Sequence, residues 1–527
     1  MKQVKIFDST LRDGAQGEGI AFSVEDKLNI VRALDDIGVS YVEAGNPGSN
    51  PKDLEFFARA KELTLKNAKL CAFGSTRRKG IAVEEDANVL SLLKAETGVV
   101  SLFGKCWDLH VTGILNATLE ENLAMIEETV RFFKDAGKEV VFDAEHFFDG
   151  YAENPDYAMA ALSAAVKGGA DTLCLCDTNG AAYPTDVKNI TEKVCAAFPS
   201  CSIGIHCHND TGMAVANSML AVDGGATHVQ GTFIGFGERC GNANLSAIIP
   251  NLELKRGVSC LPEGRLAMLT QTARHIAEIA NVPLSGGKPY VGHSAFAHKG
   301  GMHIDGVSKL SRSFEHVSPE TVGNERRFLM SEVSGRSTIL SKIKQVDPSL
   351  TKDSPETMWI MERLKQLEHK GFQFEAAEES FTLLIYKELG LYRPYFELIS
   401  FRVLGECPFP SDDYSASAMI EVKVDGTTEI TAAKGQGPVH ALDQALRKAL
   451  MVFYPTLAEM RLTDYKVRVL EPKGGTAAKV RVLIESTDGE DVWTTVGVSE
   501  DIIQASWGAL VDSIEYKLLR DGQSSWQ

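Results

Sequence analysis

A chain of 527 residues is too long for a single hydrophobic core and is expected to form two or three domains. Its 44% hydrophobic and 24% charged content is ordinary for a globular protein, while 71 acidic against 54 basic residues, a net charge of −17, argue against nucleic acid or anionic membrane as general partners. No apolar run approaches the ~18 residues of a membrane span, Met1–Lys5 does not read as a signal peptide, and ten scattered cysteines without a C-x-x-C point to thiols in a reducing cytoplasm.

Over residues 1–258 short apolar runs alternate with longer helical patterns. Strands are expected at Val4–Phe7, Tyr41–Ala44, Lys69–Phe73, Val99–Phe103, Glu139–Phe142, Thr172–Leu175, Ser202–His206 and His228–Gly231. Most precede an amphipathic segment such as Val24–Ile37, Leu119–Ala136 or Thr185–Phe198. Eight such units in about 250 residues predict an α/β fold, a (β/α)8 TIM barrel, over an open doubly wound sheet.

In such a barrel the C-terminal strand ends share one face, and side chains that carry chemistry recur there. Asp8-Ser9-Thr10-Leu11-Arg12-Asp13-Gly14-Ala15-Gln16 follows the first strand, and Glu43 lies near the end of the second. Asp143 and Glu145 follow the fifth, Asp177-Thr178-Asn179 the sixth, and Gly237-Glu238-Arg239-Cys240-Gly241-Asn242 the eighth. At the end of the seventh, His206-Cys207-His208-Asn209-Asp210 sets two histidines two apart on a strand, about 7 Å from each other on one face, while Cys207 points away. Carboxylates and imidazoles gathered on one rim point to a divalent metal, and this mixed nitrogen and oxygen set suits Mg, Mn, Zn or Co. Open coordination positions would accept two oxygens of one substrate, as a 2-oxoacid offers.

From 259 to 394 the alternation gives way to helical patterns and loops, read as linker subdomains. Val291–Gly306 is rich in glycine and histidine, and His293, His298 and His303 are candidates for proton transfer because imidazole changes charge near neutral pH. For His293 and His298 an ordinary surface or core role is preferred. Residues 395–527 carry a weak repeat, Met419–Leu450 against Val480–Leu510, each with an Asp-Gly turn (Asp425-Gly426, Asp488-Gly489), which predicts one compact α+β domain. Within it Gly435-Gln436-Gly437-Pro438-Val439 marks a strand-to-helix junction with proline at the first helical position. Such a junction either attracts an anion to its unpaired N–H groups or is a tight turn that packs the helix.

The run Asp8-Ser9-Thr10-Leu11-Arg12-Asp13-Gly14, with the His206-Cys207-His208-Asn209-Asp210 and Gly237–Asn242 stretches, resembles the DRE-TIM metallolyases. That family includes isopropylmalate, homocitrate and citramalate synthases and hydroxymethylglutaryl-CoA lyase. The resemblance extends through Gly292–Val307 into the C-terminal domain, and Phe73–Arg78 with Asp464–Leu470 look most like the bacterial citramalate synthase branch. It implies that Asp13, His206, His208 and Asn242 bind the divalent metal and that Arg12 contacts the keto oxygen and stabilises the alkoxide formed there. It also implies that Thr178 and Glu145 contact the keto acid or lie beside it; Arg12, Gln16, Glu43 and Thr178 are the substrate-binding candidates, with Glu43 read as an orienting residue. Either His303 held by Asp305, or Glu145, would be the base, and where the family often has an aromatic hydroxyl some ten residues on, this chain has Ser313 and Phe314.

The implied reaction is a condensation of acetyl-CoA with pyruvate to (R)-citramalate and CoA under isoleucine feedback, in a homodimer whose linker reaches over the partner's barrel. The alternatives are 2-oxoisovalerate under leucine control, then a homocitrate synthase or a lyase, the lyase disfavoured by the long tail. The C-terminal domain resembles the regulatory domain of these synthases, which makes Gly435, Gly437, Pro438 and Val439 candidates for binding the feedback amino acid. Arg77, Arg78 and Lys299 are possible contacts for the phosphates of CoA.

Overall fold

Eight parallel strands pair in sequence order: β1 (Lys5–Asp8), β2 (Tyr41–Glu43), β3 (Lys69–Ser75), β4 (Val99–Lys105), β5 (Glu139–Glu145), β6 (Thr172–Asp177), β7 (Ser202–Cys207) and β8 (His228–Gly231). The last returns to the first, with Lys5 opposite His228 and Asp8 opposite Gly231, so the barrel is closed. This computed structural model describes residues 3–329, 336–406, 415–470, 478–489 and 491–524.

β3 to β6 run two or three residues beyond the ends expected from hydrophobicity, to Ser75, Lys105, Glu145 and Asp177. Among the added residues, Ser75, Lys105, Asp143 and Glu145 top the inward columns, where the fall in hydrophobicity imitates the start of a loop. Side chains alternate between lumen and helix layer along each strand. Low in the lumen, Phe7, Tyr41, Cys71, Val99, Val141 and Cys174 pack as one buried cluster, joined from above by Cys176, which reaches the cavity at the rim. One inward step nearer the C-terminal rim, the same columns present Glu43, Phe73, Ser101 and Asp143, joined by His206 and Gln230. The outward residues, among them Val42, Ala72, Val100, Phe142, Leu173, Ile205 and Cys207, belong to the large core beneath the helices. Apolar burial therefore builds the shell, and the rim of the lumen is left for polar groups.

Local signals set the helices. Val24–Ile37 starts at a reciprocal cap between Ser23 and Asp26 and stops at Gly38 with φ 99°. A Cβ at Gly38 would stand 2.3 Å from Pro262, so this stop is also a close approach. The compact unit that contains the barrel extends through Phe296 and takes in His316–Arg326, including the helix Leu269–Ile279.

A second unit comprises Ala297–Glu315 and the chain from Arg327 onward. Its helices include Gly301–Lys309, Pro355–His369 and Glu378–Glu388, and it holds two antiparallel three-stranded sheets. The first sheet joins Glu397–Glu406, Ser415–Val424 and Thr427–Gly435 and is followed by the helix Pro438–Leu450. The second joins Arg461–Val469, Val480–Thr487 and Val492–Ser499 and is followed by Ile502–Ser524. The repeat is thus one strand longer at its start than the sequence pattern suggests. At the first turn Asp425 and Gly426 have φ of 45° and 85°, and at the second Gly489 has φ 94°, as tight hairpins require. Ala441, Leu442, Ala445 and Leu446 of one helix share a core with Ala505, Ala509, Leu510 and Ile514 of the other.

Candidate active site

The inward columns bring together residues from both ends of the barrel sequence. Oδ2 of Asp13 lies 3.4 Å from Nε2 of His206 and 3.9 Å from Nε2 of His208, and all three side chains are buried. Asn242 is held beside His208 by a backbone bridge between the two residues. That loop is tied to β7 by Ala243 N donating to Cys207 O (2.9 Å) and Asn209 N donating to Gly241 O (2.9 Å). Gly237, with φ 148°, is required here, because a Cβ would fall 2.2 Å from Nδ2 of Asn242.

Three observations test whether these residues fit a cation. Oδ1 of Asp13 and Oδ1 of Asn242 are buried without a hydrogen-bond partner, a costly state unless something else satisfies them. Asp13, His206 and His208 offer ligand atoms within 4.8 Å of one another. Burial, then His206, push His208 down to about 4, so its imidazole is neutral at pH 7 and has a lone pair to give. Burial alone would lift the Asp13 carboxyl, but Arg12 and the two imidazoles outweigh it and hold it well below the usual carboxylate range. An anionic oxygen, two imidazole nitrogens and an amide oxygen fit a divalent ion of borderline or hard character.

Arg12 is fixed from three sides. Its Nε donates to Glu43 Oε2 at 2.7 Å, its Nη1 to Asp13 Oδ2 at 3.1 Å, and its guanidinium carbon sits 3.8 Å from the centre of the Phe73 ring. Glu43 is fully buried and is held in turn by Ser9 Oγ at 2.5 Å. Glu43 thus touches Arg12 and Ser9 and is not among the residues that line the cavity. A cavity of about 260 Å³ opens over the cluster, lined by Arg12, Asp13, Gln16, Glu145, Thr178, His206 and His208 together with Phe73 and Phe103. The two phenylalanine rings stack at 5.3 Å, forming one apolar wall.

Several residues that the sequence left in the background join this site. Lys105, the last residue of β4, pairs with Glu145. Arg239 binds both oxygens of Asp210 at 2.8 and 2.9 Å and the carbonyl of Thr178 at 2.8 Å, locking three rim loops together. Gln230 bridges His206 and Asp143. A lumen-facing glutamine in the middle of a strand was the available signal.

Other candidates are placed elsewhere. Asp177 points out of the lumen and accepts from Ala181 N and Ala182 N, and Asp8 accepts from Thr10, so both hold loops. Arg77 is buried and spent on Glu121 and Glu128, Arg78 pairs with Asp86, and Lys299 with Glu375. In the second unit His303 and Asp305 lie on the helix Gly301–Lys309. Asp305 pairs with Lys309 Nζ at 2.6 Å, while the His303 ring lies 4.6 Å from that of Phe314. Residues two apart on a helix face different ways, so Asp305 does not hold His303.

In the C-terminal sheets, Pro438 does begin its helix. Gly435 is explained by packing, since a Cβ there would stand 2.4 Å from Ala441 N, and Gly497 of the second repeat meets Ala505 O at 1.9 Å in the same way. Gly437 is extended, with φ −162° and no atom within 4 Å of its Cβ position. Val439 lines a separate cavity of about 360 Å³ with His440, Asp443, Gln444, Arg447 and Tyr465. Among the described residues, no helix is long and apolar enough to cross a membrane.

Comparison with known proteins agrees with this division of labour. Residues 3–277 match the HMGL-like family, 290–371 the homocitrate synthase post-HMGL domain-like family, and 375–518 the LeuA allosteric (dimerisation) domain. The chain is 53% identical over 520 residues to an (R)-citramalate synthase of Aquifex aeolicus, covering 99% of this chain and 98% of that one. It is 50% identical to the (R)-citramalate synthase of Geobacter sulfurreducens over 98% of both chains, and 49% identical to that of Synechocystis sp. over 97% and 96%.

Proposed function

The chain belongs to the HMGL-like family, and from that premise we propose which of its residues carry the reaction. The protein condenses acetyl-CoA with pyruvate to give (R)-citramalate and CoA. The observation that carries the site assignment is the meeting of Asp13, His206 and His208 with Arg12 at one cavity.

A divalent cation, Mg, Mn, Zn or Co, held by Asp13, His206, His208 and Asn242, would chelate the keto acid and polarise its carbonyl as a Lewis acid. Arg12 faces the keto oxygen and neutralises the negative charge that grows there as the carbon–carbon bond forms. Because Glu43, Asp13 and Phe73 hold the guanidinium in advance, little reorganisation is required when that charge appears. Glu145, beside Lys105 and in the cavity wall, takes a proton from the methyl of acetyl-CoA. His303 is the second candidate for that transfer, supplied by the partner subunit of a homodimer. Thr178 and Gln16 position the keto acid. Its own N–H partner, His146 at 2.9 Å, keeps the Thr178 hydroxyl oxygen occupied as an acceptor and its hydrogen available to a carboxylate. Water then hydrolyses the thioester, releasing citramalate and CoA.

The stacked Phe73 and Phe103 favour a small acceptor over a branched one, since each ring occupies room that an isopropyl group would need. We further propose that isoleucine is the feedback ligand, bound in the C-terminal domain beside Pro438 and Val439, and that the protein acts in the cytoplasm. A CoA-release assay with pyruvate and 2-oxoisovalerate side by side, with the product identified, tests the reaction. Preference for pyruvate with citramalate as product is expected, and preference for the branched acid would overturn it.

A further inference from the structure

Behind the two imidazoles, four buried side chains from four strands form one hydrogen-bonded string. Ser101 Oγ donates to Oδ2 of Asp143 at 2.5 Å, Gln230 Nε2 donates to Oδ1 of the same carboxylate at 2.8 Å, and Gln230 Oε1 stands 3.0 Å from Nδ1 of His206. Ser101 and Gln230 are fully buried, Asp143 and His206 nearly so, and no water is needed to complete the string.

The direction of this string decides what His206 shows to Asp13. A carboxylate accepts and an NH2 group donates, so Asp143 turns the amide nitrogen of Gln230 toward itself and the amide oxygen toward His206. An oxygen at that distance calls for a hydrogen on Nδ1. In the neutral ring Nε2 then carries the lone pair, and it points at an oxygen 3.4 Å away on Asp13. Were the amide reversed, its NH2 would meet Nδ1, the hydrogen would sit on Nε2, and His206 would bond to Asp13 instead of facing it as a second ligand.

We propose that Gln230, aimed by Asp143, is a positioning residue that fixes the His206 tautomer in which Nε2 is free to bind a metal ion. The inference rests on the metal reading of Asp13, His206 and His208. Gln230 touches no substrate in this account and works through His206 alone. Partners behind a ligating histidine are generally worth about 10- to 100-fold in metal affinity.

The test is a titration of the full-length protein with Mn2+, read as free Mn2+ by EPR, alongside kcat at saturating Mn2+ and thermal unfolding. Gln230→Met keeps the shape and loses the strong acceptor. It is expected to bind Mn2+ about 10- to 100-fold more weakly, with kcat recovering toward the parent value at saturating metal. Gln230→Glu made together with Asp143→Asn keeps an oxygen facing Nδ1 and restores a donor to acceptor contact behind it, and this double variant is expected to bind within about threefold of the parent. A folded Gln230→Met protein with parental affinity would overturn the proposal. If Gln230→Met does not fold, the Gln230→Glu/Asp143→Asn double variant decides alone, and a loss beyond about threefold counts against the proposal. Absence of Mn2+ binding by the parent protein would overturn the metal reading itself, which separates the two failures.

Discussion

Nε2 of His206 and Oδ2 of Asp13 face each other at 3.4 Å inside the barrel rim, with His208 Nε2 half an ångström farther off, at 3.9 Å. A divalent cation between them, reached also by His208, would satisfy both. Replacing His208 by Ala or Asp13 by Asn removes a ligand without emptying the lumen. We expect either variant to lose Mn2+ binding and to drop kcat/KM by about 10³-fold, several kcal/mol of transition-state stabilisation. An equilibrium dialysis showing parental metal content in both would refute the assignment.

Arg12 offers a planar fork to Glu43, Asp13 and the Phe73 face, and lysine cannot satisfy all three. Arg12→Lys should therefore lower kcat by about 10²- to 10³-fold while leaving the KM for acetyl-CoA near the parent value. Steady-state rates of CoA release give the comparison, and a variant with parental kcat would remove Arg12 from the charge-stabilising role.

Selectivity is expected to respond to Phe103 more cleanly than to Phe73, which also supports Arg12. Phe103→Ala deepens the apolar side of the cavity where the two rings stack. The ratio of kcat/KM for 2-oxoisovalerate over pyruvate should rise by about 10-fold or more, given 1–3 kcal/mol per methylene-sized change. Competition kinetics on the two acids would show no shift if the wall lies outside the acceptor's path.

Gly435 and Gly437 flank the same helix start and are predicted by the structure to differ sharply. A methyl at Gly435 meets Ala441 N at 2.4 Å, whereas nothing lies near that of Gly437. Gly435→Ala should cost about 1–3 kcal/mol through overpacking, and Gly437→Ala should be close to neutral. Differential scanning calorimetry of the two variants separates them, and equal transitions would show that the strand end yields without strain.

His228, at the foot of the lumen, has no hydrogen-bond partner on either ring nitrogen and sits 5.2 and 5.6 Å from the rings of Phe7 and Tyr41. Burial, with Lys5 nearby, pushes it down to about 3. Its folded pKa is thus below the unfolded value of about 6.5, so the unfolded chain takes the proton first and stability falls as pH drops below 6.5. The slope from this one group approaches 1.4 kcal/mol per pH unit until about pH 3. His228→Leu should remove it, and denaturant midpoints of barrel unfolding at pH 7, 6 and 5 give the reading. A variant as acid-sensitive as the parent would place the loss elsewhere.

The barrel was legible because its eight apolar runs and intervening amphipathic segments leave little choice of topology, and the rim because Asp13, His206 and His208 fall at strand ends. Strand length was not legible. Asp143 and Glu145 look like loop residues to a hydrophobicity pattern, yet they are the inward steps of β5. Gln230 and Lys105 escaped notice because an amide or an amine carries no motif of its own, and their importance lies in what they touch. His303 and Asp305 are close in sequence, but the helix that carries them turns them apart and gives Asp305 to Lys309. Gly435 resembled a ligand loop and serves close packing, a distinction that only the distance to Ala441 reveals.

The plug of aromatic rings and thiols low in the lumen makes the catalytic chamber a dead end. In the proposed reaction the smaller reactant would take the innermost seat, over Asp13, His206 and His208. A bulky thioester arriving first would then bar the way, and initial-rate kinetics with dead-end inhibitors are expected to show the keto acid binding before acetyl-CoA.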